Sequence, residues 1–146
     1  MNEIKLDTKE LDRIAKQLNV KREAVGRRMA LQVEKRAKEL APKDTGAMRN
    51  SIYTVTQKSN GYDAAASAAK SSNPKVQTTP HPQPTGNVIA NVGPSVEYAA
   101  RIEFGFVGED SLGRRYNQAA HPYLTPAVEE IARKYNSGEE WKELVE

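Results

Sequence analysis

An α+β fold, with a long N-terminal helix packed on a small antiparallel sheet and further helices at the C-terminus, is what three observations predict for this sequence. Residues 20–40 carry apolar side chains at helical spacing, residues 52–57 and 87–93 form two β-rich runs, and residues 124–135 return to a capped helical pattern. A chain of 146 residues can bury one real core but not two, so 1–146 is read as a single domain.

Asp7 followed by Glu10 is a capping-box pattern. A helix is therefore expected from about Thr8, with Leu11, Ile14, Ala15 and Leu18 on its apolar face, and a pause at Asn19. A longer helix follows from Val20 to Leu40. An advance of about 100° per residue gathers Val25, Met29, Val33, Ala37 and Leu40 on one side and sets Arg27, Arg28, Lys35 and Lys38 opposite. Arg22 and Arg36 project beside the apolar stripe, where their stems cover it and their heads reach water or an acidic partner. They are the first basic residues expected at an interface.

Pro42 ends this helix, because the residue before a proline leaves the α region and proline has no amide hydrogen for the ladder. Asp44-Thr45-Gly46 reads as a turn in which Asp and Thr bond backbone amides and Gly46 takes a positive φ. After Arg49-Asn50-Ser51, the run Ile52-Tyr53-Thr54-Val55-Thr56 is a strand signature. Residues 41–52 are thus expected to form a helix-to-strand corner carried by Pro42, Asp44, Thr45, Gly46, Met48, Arg49 and Ser51.

Residues 58–86 contain four of the eight prolines, five alanines, and no Leu, Ile, Phe, Met or Trp. Such a segment is expected to stay outside the core as an extended Pro/Ala/Ser-rich hairpin arm that docks on a neighbour. Beyond it, Val88, Ala90 and Val92 alternate on one face of a second strand, paired antiparallel with 52–57. Val96, Ala99, Ala100 and Ile102 form a short helical pattern broken at Phe104-Gly105-Phe106. Phe104 and Phe106 read either as core filling or as a subunit interface.

The following VGEDSLGRRYNQ is expected to be a flexible surface loop. In the last helix Thr125 caps, Pro126 takes the first position, Glu129 and Glu130 suit the early turns and Arg133 and Lys134 the end. Asn136-Ser137-Gly138 stops it. Residues 138–146 are expected to form a short amphipathic tail helix around Trp141, Leu144 and Val145, which docks on the domain or grips a partner.

Several function classes find no support. There is no cysteine, which removes disulfides and thiolate chemistry, and His81 and His121 stand alone without ligand spacing, so no metal or other cofactor is expected. No Gly-x-Ser-x-Gly elbow, P-loop or dinucleotide fingerprint occurs, and the chain is read as a non-enzyme. Its polar first residues do not resemble a signal peptide, and no apolar run has the length of a membrane span, so cytoplasmic synthesis and no membrane partner are expected.

The net charge of +3 is unevenly spread: residues 21–39 carry seven Lys/Arg against three Glu, whereas the chain from Ala127 carries six Glu against three Lys/Arg. This asymmetry fits solvated helix faces, nucleic-acid contact, or one copy's basic surface meeting a neighbour's acidic one.

Three blocks, APKDTGAMRNSI, VGPSVEYAARIEFGF and AAHPYLTPAVEE, resemble the HK97 gp10-like family of tailed-phage tail components and tail-completion (neck) proteins. The family pattern is an Ala-Pro-x-Asp-Thr-Gly-x-Leu-Arg-x-Ser corner, a Tyr-Ala before Glu-Phe-Gly, and Pro-Phe-Leu-x-Pro-Ala before the last helix. Here Met48 stands for Leu and Tyr123 for Phe, both keeping volume, while Tyr98, Ala99, Glu103, Phe104, Gly105, Pro122, Leu124, Pro126 and Ala127 match.

The resemblance implies a structural bacteriophage protein, made in the host cytoplasm and carried in the virion at the head-tail junction. It implies a homo-oligomeric, hexameric ring contacting the tail terminator and the head-closure or connector proteins. Arg22, Arg36, Tyr98, Glu103, Phe104, Phe106, Tyr123 and Trp141 are the residues expected at its interfaces. The alternative is a DNA-binding accessory or assembly factor using the basic face of helix 20–40, and nonspecific proximity to DNA in the channel is compatible with both.

Overall fold

The computed structural model describes residues 8–43 and 46–138, and the fold is α+β. Helix α1 (Thr8–Leu40) leads to a short α2 (Ala47–Asn50), strand β1 (Ile52–Thr56) and helix α3 (Tyr62–Ser72). Strand β2 (Ala90–Pro94), helix α4 (Ala99–Phe104), strands β3 (Phe106–Glu109) and β4 (Arg115–Gln118), and helix α5 (Leu124–Asn136) follow.

Helix α1 is continuous through Asn19, where a pause was expected. Asn costs a helix only some tenths of a kcal/mol, and without Gly or Pro at that point nothing outweighs the hydrogen bonds on either side. The helix is about 50 Å long at 1.5 Å per residue, and its described side chains before Val25 are all exposed. From Val25 onward the expected stripe is buried, with Val25, Val33 and Ala37 in the core and Met29 and Leu40 packed against it.

β1 pairs antiparallel with β2 as expected, Ile52 opposite Pro94 and Thr56 opposite Ala90. The second strand begins only at Ala90. At Thr56 the β1 chain turns back, its amide donating to the Ser59 carbonyl, so 87–89 face no partner strand. Side chains alternate across β1 into two clusters. Ile52 joins Val33, Met48, Val96, Tyr123 and Ile131 in the main core, while Tyr53 and Val55 meet Tyr62 and Ala65 of α3 on the other face. The Tyr53 and Tyr62 rings meet edge to face at 5.2 Å.

That second face corrects the expectation of an extended arm over 58–86. Residues 62–72 are α-helical, with Tyr62, Ala65 and Ala69 buried. Alanine adds little to an apolar run, but it is the best helix former and the side chain that lets a helix approach a sheet most closely. Only the second half is proline-rich extended chain, and it too is tied down: the Tyr62 hydroxyl donates to the Thr79 carbonyl, the Thr79 amide to the Ser95 carbonyl, and Val76 is buried.

The VGEDSLGRRYNQ stretch, expected to be a loop, is a second antiparallel pair in which Phe106 faces Gln118 and Glu109 faces Arg115. Asp110 closes its turn. The carboxylate accepts from the amides of Leu112 and Arg114, the Arg114 guanidinium and the Tyr116 hydroxyl. Burial opposes the charge, yet these donors hold the Asp110 carboxyl down at about 2.

Candidate interaction surfaces

The corner is built around Gly46, whose φ of 77° places it in the left-handed region that favours glycine. Its carbonyl accepts the Asn50 amide, so the chain makes one helical turn before β1 rather than entering the strand directly. Met48 is buried, and the Ser51 hydroxyl, fully enclosed, donates to the Met48 carbonyl at 2.6 Å. Pro42 is half-buried and Arg49 exposed. Asp44 and Thr45 lie outside the described residues, as does Trp141.

Glu103 has a role that sequence reasoning missed. Its carboxylate accepts the backbone amides of Tyr123 (2.9 Å), Leu124 (3.0 Å) and Thr125 (2.8 Å), which are orphan donors at the start of α5. Thr125 and Pro126 were expected to cap and open this helix. Instead it starts at Leu124, and a carboxylate on another helix caps it.

Burial pushes the Glu103 carboxyl up, but hydrogen bonds from the Thr125 side chain and the three amides outweigh this and hold it below the usual glutamate range. A negative charge at the positive end of the α5 dipole adds to the same effect. This contact physically joins the Glu-Phe-Gly block to the Pro-Tyr-Leu-x-Pro-Ala block.

Of the residues expected at an interface, two are enclosed by their own chain: Glu103 at 6% exposure and Tyr123 at 1%. Burial drives the Tyr123 phenol well above its ordinary value, with the neighbouring Glu103 charge adding to it. Tyr98 is half-buried against the core. The Arg36 Nε donates to Glu130 of α5 at 2.7 Å and its Nη1 to Glu39 at 2.9 Å, so its guanidinium is engaged within the chain. Arg22 is exposed near the outer part of α1.

Phe104 faces outward, 76% exposed at the end of α4. Gly105 follows it at φ 77°, ψ 171°, where a Cβ would lie 2.8 Å from the Gln118 carbonyl oxygen. Only glycine lets the chain reverse there under the 118–120 backbone. Phe106 turns inward onto Tyr116 at 5.9 Å, with the Arg101 guanidinium 4.1 Å from its ring centroid.

The β3–β4 hairpin also displays Val107 (79% exposed) and Leu112 (75%), neither singled out from the sequence. A signal existed: Phe-Val-Gly-Glu and Arg-Tyr-Asn-Gln flank a short turn rich in Asp, Ser and Gly, a hairpin pattern. The arrangement is a self-ordered projection with apolar side chains at its base, strand and tip.

Among the described residues no His, Asp and Glu cluster could hold a metal ion, and no helix is long and apolar enough to cross a membrane. On the basic face of α1, Lys38 pairs with Glu34 at 2.7 Å, while the Arg27 and Lys35 side chains are exposed.

The family model described as "Bacteriophage HK97-gp10, putative tail-component" matches residues 8–105, from the start of α1 to the glycine that ends α4. No curated protein and no solved structure matches the chain.

Proposed function

Since the chain belongs to the HK97 gp10-like family of bacteriophage tail components, we propose that it is a non-enzymatic structural protein that completes the tail at the head-tail junction. It assembles there as a closed ring of about six copies. One side of the ring meets the tail terminator and the other the head-closure proteins. Ring closure uses a heterologous interface, in which a projection on one copy meets a different surface of the next.

The observation that carries this reading is the β3–β4 hairpin with Phe104 at its base. A two-stranded hairpin is marginal by itself in water, yet this one is ordered by Asp110 and leaves Phe104, Val107 and Leu112 open to solvent. Exposed apolar side chains on an ordered projection are what a protein interface buries. Lys38 is engaged by Glu34 of the same helix while Arg27 and Lys35 stay exposed, which is compatible with nonspecific proximity to DNA in the channel.

Quantitative mass spectrometry of purified virions, calibrated against the major tail protein, tests the proposal. A fixed low copy number near about six is expected. Absence of the chain from virions would overturn it and favour the assembly-factor alternative.

A further inference from the structure

The β1–β2 sheet ends unevenly. At Thr56 the β1 chain turns back, its amide donating to the Ser59 carbonyl, while the chain leading into β2 runs beside α1 without a partner strand. Gly26 lets that chain come close, since a Cβ there would lie 2.7 Å from the Ile89 Cγ2. Between the outer part of α1, the turn after β1 and residues 86–89 this leaves a three-walled cleft of ≈ 490 Å³. Val20 (66% exposed) and Val88 (45%) line it together with Ala24 and Ile89. Arg22 and Arg27 line it as well, both exposed, and no acidic side chain among the described residues pairs with either.

Among the described residues, exposed large apolar side chains gather at two places. Phe104, Val107 and Leu112 lie on the β3–β4 hairpin and its base, whereas Val20 and Val88 lie in the cleft, with Leu18 next to its lining residue Asn19; only Leu31 and Val128 stand elsewhere. One place is a projection and the other a hollow, and no hairpin residue lines the cleft of its own chain. A contact between them joins two different surfaces, which is the heterologous geometry that ring closure requires. The lengths agree. The α1 wall from Asn19 to Arg27 runs about 12 Å, and β3 from Val107 to Asp110 spans about 10 Å.

Resting on the ring reading above, we infer that this cleft receives the β3–β4 hairpin of the neighbouring copy. Val107 and Leu112 enter against Val20 and Val88. Glu109, two residues beyond Val107 and so on the same face of β3, meets Arg22 and Arg27. Within its own chain Glu109 pairs with Arg115 at 2.9 Å, both side chains being exposed. Such a surface pair contributes little and exchanges readily for another cation.

The chain has no cysteine, so introduced thiols report the contact without background. Leu112→Cys is combined with Val88→Cys in one variant and with Val20→Cys in a second, because a disulfide tolerates only a narrow range of separations. Particles carrying each variant are oxidised and run on a non-reducing gel, with copies of the chain per particle counted in parallel. At least one double variant should give a ladder of covalent multimers that reductant collapses, while every single variant stays monomeric. A charge exchange measures the same contact independently. Glu109→Arg should lower the copies per particle several-fold, and Arg22→Glu or Arg27→Glu in the same chain should restore them.

A covalent dimer from Leu112→Cys alone, or an internally linked monomer from a double variant, would overturn the inference, since the hairpin would then meet another hairpin or its own cleft. No ladder from either double variant and no rescue by either charge exchange, at a normal copy number of the unaltered chain, would overturn the cleft as receiver and leave the ring standing. Absence of the unaltered chain from particles would overturn both.

Discussion

At the scale of single residues, Glu103 decides most. A carboxylate reaching from α4 satisfies three amides at the start of α5, so replacing it leaves buried donors with too few acceptors. Glu103→Gln keeps shape but removes the charge and one acceptor oxygen, and is expected to lower stability by about 1–3 kcal/mol, read as a lower midpoint in urea unfolding. The pH dependence has a definite sign. The folded carboxyl titrates below its unfolded value, so its contribution is complete above the ordinary glutamate range and is lost as pH falls through the folded value. Acidification below about 4 should therefore cost the unaltered protein more stability than Glu103→Gln. The sequence marked Glu103 as part of a motif, but its partner amides lie twenty residues away and no local pattern names them.

At the scale of elements, the end of α1 before Pro42, the positive φ of Gly46 and the pairing of β1 with β2 were legible because their signals are local: a proline stop, a glycine and a β-branched run. Helix α3 was not, since apolar counting ignores alanine. Ala69 is fully enclosed in the core, and its small side chain sets how near α3 sits to its neighbours. Ala69→Leu is expected to destabilise by about 1–3 kcal/mol through overpacking, measured by thermal or urea unfolding. An unchanged midpoint would show α3 to be a loosely attached arm after all. The β3–β4 hairpin was read as a loop because its turn residues are conspicuous and its strands are only four residues each.

At the scale of the molecule, the core lies on one side of the second half of α1, while the outer part of α1 and the β3–β4 hairpin face solvent. Assembly surfaces should then be separable from folding. The pair Phe104→Asp with Leu112→Asp, both at exposed positions, is expected to change unfolding free energy by no more than about 0.5 kcal/mol. The same pair should sharply reduce incorporation into virions, measured as copies of the chain per particle. Normal incorporation would remove the hairpin from the proposed interface and leave the other exposed surfaces of α1 to be tested.

By itself the sequence determined the α+β class, the stripe of α1 that is buried, the positive φ of Gly46, the first strand and the family. Each of these rests on the periodicity or stereochemistry of residues near one another in the chain, or on motifs in order. Only the tertiary structure decided that Glu103 caps α5, that Tyr123 is core, that Arg36 is held by Glu130, and that Phe104 stands in solvent. These depend on which distant segments meet, because hydrogen-bond acceptors and excluded water are supplied by partners that no local spacing specifies.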